Sequence, residues 1–315
     1  MDRRLAGGQG EATAAPALET RREQTRARYP DEEGYVERDG VRVFYEVYGE
    51  SDPTIFLLPT WSIIHSRHWK MQIPYLARRF RVLTFDGRGN GKADRPAGGE
   101  AYTEREFAAD ALAVLDATRT ESAVLVGVSC GALWGTLLAA DQPERVRGAI
   151  FIGPAVGLAP PHSERAVYPF DDRLDTDEGW AKYNRHYWLE HYEEFLEYFF
   201  GRIFTEPHST KPIEDCVGWG LETTPETLIA TEEGLSLCGL ESFETMCARV
   251  RCPVLVLHGD EDVIRPLAQG AALAEATGGS LVTLVGSGHC PHVRDPVKVN
   301  LLIREFVESL ERRAT

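Results

Sequence analysis

The run from Ala123 to Ala140, AVLVGVSCGALWGTLLAA, holds no charged residue and is punctuated by Gly127, Gly131 and Gly135. A segment this apolar is driven out of water, and about 18 residues is the least that spans a bilayer, so it belongs in a core or in a membrane. The order of residue types decides between the two. SAVLVGV is β-branched where a spanning helix would favour leucine, and Ser129 stands in the middle between two glycines. Strand, tight turn and helix fit the run better than one continuous helix.

The surrounding chain repeats that alternation. YVERDGVRVFYEVYG reads as a hairpin turning at Asp39-Gly40, a dipeptide that tolerates positive φ. The strand TIFLLP follows, then a helix from about His68 to Arg79, then the strand RVLTFD. In TEREFAADALAVLDAT, Phe107, Ala111, Leu112 and Leu115 share a helical face behind Thr103 as cap. Strands alternating with helices imply an α/β fold with a parallel sheet.

After the strand GAIFIG the rhythm breaks. Residues 158–247 offer no convincing strand but a dense aromatic helix, WAKYNRHYWLEHYEEFLEYFFGRIF, before CPVLVLHG, LVTLVG and a closing amphipathic helix restore the pattern. One sheet domain, residues 34–157 and 248–315, interrupted by a helical insertion over 158–247, explains this better than two sequential domains. Residues 1–33, rich in Arg, Glu, Ala and Gly, are expected to form a disordered tail.

Charge narrows the partners. With 34 basic residues against 49 acidic ones, a net charge of -15 argues against nucleic acid, whose binding needs clustered Lys and Arg. The 6 cysteines, Cys130, Cys216, Cys238, Cys247, Cys252 and Cys290, lack the spacing of a zinc or redox motif and read as reduced thiols. MDRRLAGGQG has no apolar segment behind its arginines, so a cytoplasmic location is the expectation. The sequence calls for no metal and no cofactor, has no membrane span, and is compatible with a monomer or a homodimer.

A serine hydroxyl is a weak nucleophile until a base takes its proton and a third group holds the base. Gly127-Val128-Ser129-Cys130-Gly131 joins a strand to a helix, where a strained turn presents the hydroxyl. Downstream, LHGDEDVIRP offers Asp260, Glu261 and Asp262 after one strand, and GSGHCPHVRDP offers His289 and His292 after the next. The chain order is serine, acid, histidine.

In that order, and in the segment FDGRGNGKADRP from Phe85 to Pro96, the sequence resembles the α/β-hydrolase superfamily. It is most similar to the capped esterase, perhydrolase, C-C hydrolase and epoxide-hydrolase-like group. The resemblance implies a mostly parallel eight-stranded sheet flanked by helices, with a helical cap inserted after strand 6. It makes Ser129 the nucleophile, Asp262 the acid through Gly259, Asp262 and Pro266, and His289 the base through Gly288-His289. Group members that open epoxides or displace halides use a carboxylate nucleophile; a serine points instead to an acyl carbon.

The departure from the family lies at LLPTWSIIHSRHW, where Pro59 and Thr60 replace the usual His-Gly. The oxyanion donors then map to the backbone amides of Trp61 and Cys130. Asp86 and Arg88 are expected to order the loop behind the site, and Thr60, His65, Trp188 and Tyr192 to line the pocket. The acidic residues Glu190, Glu193, Glu194 and Glu197 read as a solvated face that offers no welcome to anions. The expected activity is hydrolysis of a small to medium hydrophobic ester or lactone, a small-molecule substrate, through an acyl-enzyme. The rivals are C-C bond hydrolysis or perhydrolysis by the same triad, or a ligand receptor of this fold with weak turnover.

Overall fold

The computed structural model describes residues 28–237 and 242–314; Cys238 and residues 1–27 of the expected tail lie outside the described residues. In chain order the first half comprises β1 Glu32–Arg38, β2 Val41–Tyr48, β3 Thr54–Leu57, α1 Ile73–Leu76, β4 Arg81–Asp86, α2 Glu104–Ala117, β5 Ala123–Val128, α3 Cys130–Asp141 and β6 Val146–Ile152. Two short 3-10 segments, Ser163–Ala166 and Gly179–Lys182, then lead into α4 Arg185–Glu190, α5 Tyr192–Ile203, α6 Thr210–Gly220, α7 Pro225–Leu237 and α8 Phe243–Cys247. The chain ends with β7 Val254–Gly259, α9 Leu267–Ala276, β8 Ser280–Leu284, α10 Pro291–Arg294 and α11 Pro296–Ala314.

The strands form one 8-stranded sheet in the order β1-β2-β4-β3-β5-β6-β7-β8. β1 and β2 run antiparallel to their neighbours, and the ladders from β4 to β8 are parallel. The parallel ladders are those expected from the alternation, and the mostly parallel eight-stranded sheet is the one the resemblance to the α/β-hydrolase superfamily implied. Pleating explains why β5 carries no polar side chain: Ala123 and Leu125 pack into one hydrophobic cluster, Val124, Val126 and Val128 into the other. The uncharged run is thus β5 and α3, buried from Ala123 to Val128 and from Cys130 to Ala140. Among the described residues no helix is long and apolar enough to cross a membrane.

Two boundaries and one capping bond differ from the sequence expectation. β1 starts at Glu32, inside the stretch read as tail, because Asp31 receives the amide of Gly49 at 2.6 Å and Arg28 donates to the carbonyl of Ala77 at 3.0 Å. Backbone pairing at a sheet edge needs little apolar composition, so composition concealed it. The single helix expected over 68–79 is a 3-10 turn, Ser66–Trp69, followed by α1, since Pro74 has no amide to continue a helix begun earlier. Thr103 occupies the N-cap of α2 without a side-chain capping bond.

Between β6 and β7 every described element is helical, and its aromatic side chains are continuous with the core. Trp188, Phe195, Leu196, Phe199 and Phe200 join Ile55, Leu57, Val126 and Ile152 in a single cluster.

Behind the sheet's carboxyl edge, Phe85–Pro96 is tied down by charge. Asp86 accepts the amides of Ser66 at 3.1 Å and Lys92 at 2.9 Å. Arg88, 1% exposed, grips Asp110 with Nε at 2.7 Å and Nη2 at 2.8 Å. Removing one partner of a buried, bidentate pair leaves the other charge in a dry environment. Asp110→Ala should therefore cost about 3–5 kcal/mol in urea unfolding, and a loss below about 1 kcal/mol would show that this pair does not hold the loop.

Candidate active site

Four loops leave the carboxyl ends of parallel strands on the same rim: Thr60 and Trp61 after β3, Ser129 after β5, Asp262 after β7 and His289 after β8. Parallel strands deliver their ends to one edge, so residues far apart in sequence meet there.

At Ser129 the backbone turns through φ 53, ψ -117, a conformation that costs an ordinary side chain about 1–3 kcal/mol and persists only where the surroundings impose it. They do so from both sides. The Ser129 amide donates to Ile152 at 2.9 Å, and its carbonyl accepts the amides of Ala132 and Ala155 at 3.0 and 3.1 Å. The flanking glycines are steric requirements. A Cβ on residue 127 would lie 2.4 Å from the Gly131 carbonyl oxygen, and one on residue 131 would lie 2.3 Å from that of Pro59. Cys130 is the first residue of α3, so its amide is among those that helix bonding leaves open, at the positive end of the helix.

Asp262 divides its oxygens. Oδ1 accepts the amides of Ile264 and Arg265 at 2.8 and 2.9 Å, while Oδ2 lies 2.7 Å from His289 Nδ1 and 3.2 Å from His258 Nε2. Burial opposes its charge, but the two imidazoles outweigh burial and hold the carboxyl well below the usual carboxylate range. With Nδ1 taken by Asp262, His289 keeps Nε2 for the cavity. Asp260 instead bonds the Gly286 amide at 2.7 Å, and Glu261 is exposed.

Ser129, Cys130, Thr60, Trp61 and His289 line one cavity of about 280 Å³, at the small end for ligand sites. Thr60 stands in the wall as expected, whereas His65, Trp188 and Tyr192 do not line it. His65 lies against Asp86 and Glu222 and meets Trp219 edge-on. Trp188 is wholly buried against Phe195 and Trp61. Tyr192 donates to the Gly220 carbonyl at 3.1 Å. The aromatic wall is made instead by Tyr183, Phe199 and Phe200, because seven residues of helix carry Phe199 about 10 Å from Tyr192.

Trp61 explains why an aromatic follows Pro59-Thr60. Its indole donates to Thr231 of α7 at 2.7 Å and packs against Tyr183, Trp188 and Phe199 at centroid distances of 6.0, 5.9 and 5.5 Å. Burial pushes the Cys130 thiol up to about 11 and the Cys290 thiol well above its ordinary value, so both stay protonated.

Sequence reasoning missed the charged part of the wall: Arg165, Arg265 and Glu232, with the Tyr183 hydroxyl donating to Glu232 at 2.7 Å. Burial pushes Glu232 up. No spacing rule marks these residues, since they lie on three separate elements. His258, the second imidazole on Asp262, was missed as well; its only signal is a polar residue at the end of an otherwise apolar strand.

His292 adds a titratable feature deeper in the wall, where His68 Nδ1 and His292 Nε2 are 3.1 Å apart. Burial, then the neighbouring imidazoles, lower His68 well below 6.5 and His292 to about 3. Both are neutral in the fold but take up protons in the unfolded chain below about pH 6.5. Stability is therefore fully present above that pH and falls as pH drops, by about 1.4 kcal/mol per unit from His292 until pH 3 is approached, with His68 acting in the same direction. Urea midpoints at pH 7, 5.5 and 4.5 should decline accordingly; a flat profile would contradict the neutral pair.

A family model for the alpha/beta hydrolase fold matches residues 53–296. Over 82% of this chain and 91% of the relative, the sequence is 23% identical to 3-oxoadipate enol-lactonase 2 of Acinetobacter baylyi. It is 27% identical to 2-hydroxymuconate semialdehyde hydrolase of Pseudomonas sp. strain CF600, over 78% of this chain and 83% of that one. A solved structure of Est816, an N-acyl homoserine lactone degrading enzyme, superposes with a TM-score of 0.71 at 25% identity, covering 87% of this chain and 100% of the other.

Proposed function

Because the chain belongs to the alpha/beta hydrolase fold family, we propose that it is a serine hydrolase opening an ester or lactone through an acyl-enzyme, with Ser129, His289 and Asp262 as its catalytic triad. The observation that carries this reading is the 2.7 Å Asp262–His289 bond in the wall of the cavity where Ser129 sits on its strained turn. The names of its relatives, a lactonase and a lactone-degrading enzyme among them, support an acyl carbon as the point of attack.

In the first step the Ser129 hydroxyl oxygen bonds to the carbonyl carbon while its proton passes to His289 Nε2. Asp262 orients the ring and stabilises the imidazolium. Negative charge collects on the carbonyl oxygen, where the backbone amides of Cys130 and Trp61 stabilise it. As the tetrahedral species collapses, the bond to the leaving oxygen breaks and that oxygen takes the proton from His289. Water, deprotonated by His289, then attacks the acyl-enzyme and releases the acid with Ser129 restored. The helices over residues 158–247 act as a cap, and Tyr183, Phe199 and Phe200 give it an apolar inner surface for a small to medium substrate.

Treatment of the folded protein with a fluorophosphonate should place one adduct on Ser129, located by mass spectrometry. Ser129→Ala should lower kcat/KM on 4-nitrophenyl esters by about 10⁴ or more. An adduct on Cys130, or none in folded protein, would sink the mechanism.

A further inference from the structure

Arg265 stands three positions after Asp262, and its own amide bonds Asp262 Oδ1 at 2.9 Å, which fixes where its side chain departs. That side chain lines the cavity. It forms no hydrogen bond among the described residues, and its Nε is buried without a partner. Arg165 reaches the same cavity from the 3-10 segment Ser163–Ala166, with Nη1 donating to the Ile264 carbonyl at 2.9 Å. Its guanidinium lies over the rings of Trp180 and Tyr183 at 4.8 and 5.4 Å. His162, on the same stretch, lies 2.8 Å from the Asp262 carbonyl, so both arginines are built onto the loop that carries Asp262.

Two permanent cations therefore face an apolar cavity beside Ser129. Opposing them is Glu232, whose ionisation burial resists, while Asp262 is committed to His289 and His258. Burial, and after it the like charge of Arg265, press the Arg165 pKa down, against the pull of Tyr183, Glu232 and Asp262. The Arg265 guanidinium thus keeps a buried donor without an acceptor at the cavity wall, an arrangement that costs free energy until an acceptor enters. The acidic residues expected to repel anions, Glu190, Glu193, Glu194 and Glu197, are all exposed on the outside of the insertion.

We propose that Arg165 and Arg265 form a carboxylate subsite, and that the substrate is an ester or lactone bearing a free carboxylate. This rests on the serine-hydrolase reading above. A guanidinium matches the two oxygens of a carboxylate with two parallel donors, so the subsite sets both affinity and the direction in which the substrate lies.

The test compares 4-nitrophenyl hydrogen pimelate with its neutral methyl ester, both followed by release of nitrophenolate. The wild-type protein should prefer the acid at least about tenfold in kcat/KM, chiefly through KM. Arg265→Gln should shrink that preference by about ten- to a hundredfold, and Arg265→Lys by less. Arg165→Gln should act in the same direction. A second arm needs no turnover: Ser129→Ala titrated calorimetrically with monomethyl pimelate should bind it more tightly than dimethyl pimelate, and Arg265→Gln in that background should abolish the difference. Turnover of both esters with no preference for the acid, together with equal binding of the two pimelates, would overturn the subsite and leave the hydrolase reading standing. Absence of turnover and of Ser129 labelling, with the binding difference retained, would instead overturn the hydrolase reading and leave the subsite.

Discussion

The carbonyl oxygen of Pro59 occupies the place where residue 131 would carry a Cβ, 2.3 Å from that position. Much of the site depends on this approach. It presses the loop after β3 against the start of α3. It also makes glycine at 131 a packing requirement, as the Gly131 carbonyl does for glycine at 127. Between these two contacts the chain has no relaxed route, and Ser129 takes the left-handed conformation by default. The turn at Ser129 is thus bounded by two close approaches that only glycine accommodates.

A second layer of order comes from how Asp262 spends its oxygens. Backbone amides hold Oδ1, which leaves Oδ2 to face His289 and His258 together. One carboxylate thereby braces its own loop and the His289 ring at once. The same loop carries Arg265 and receives His162 and Arg165 from the start of the insertion. Orientation of the His289 ring and the charged side chains of the cavity wall share one support.

Much of the fold could be read from the chain because it depends on local pattern. The β-branched half of the uncharged run, the Asp39-Gly40 turn and the alternation of strand and helix each follow from near neighbours, and the sheet follows from them. Pro74 is a local signal for the break inside 68–79, which the expectation of a single helix there did not use. The order of Ser129, Asp262 and His289 was legible because each sits in a short motif at a strand end. The cavity wall was not. Whether Trp188 or Tyr183 faces inward depends on how α4 and α5 lie across the rim, a tertiary fact without a sequence period. Arg165 and Arg265 were invisible for a related reason: each is an ordinary surface-type residue in sequence, and only their convergence removes them from bulk water.

Trp61 belongs to two structures at once. Its backbone lies on the loop after β3 at the cavity rim, while its indole is bonded to Thr231 and embedded among Tyr183, Trp188 and Phe199. The insertion and the rim are mechanically one body at this point. A substitution that reshapes the insertion therefore also pulls on the loop after β3, so the roof of the cavity and its rim cannot be altered independently.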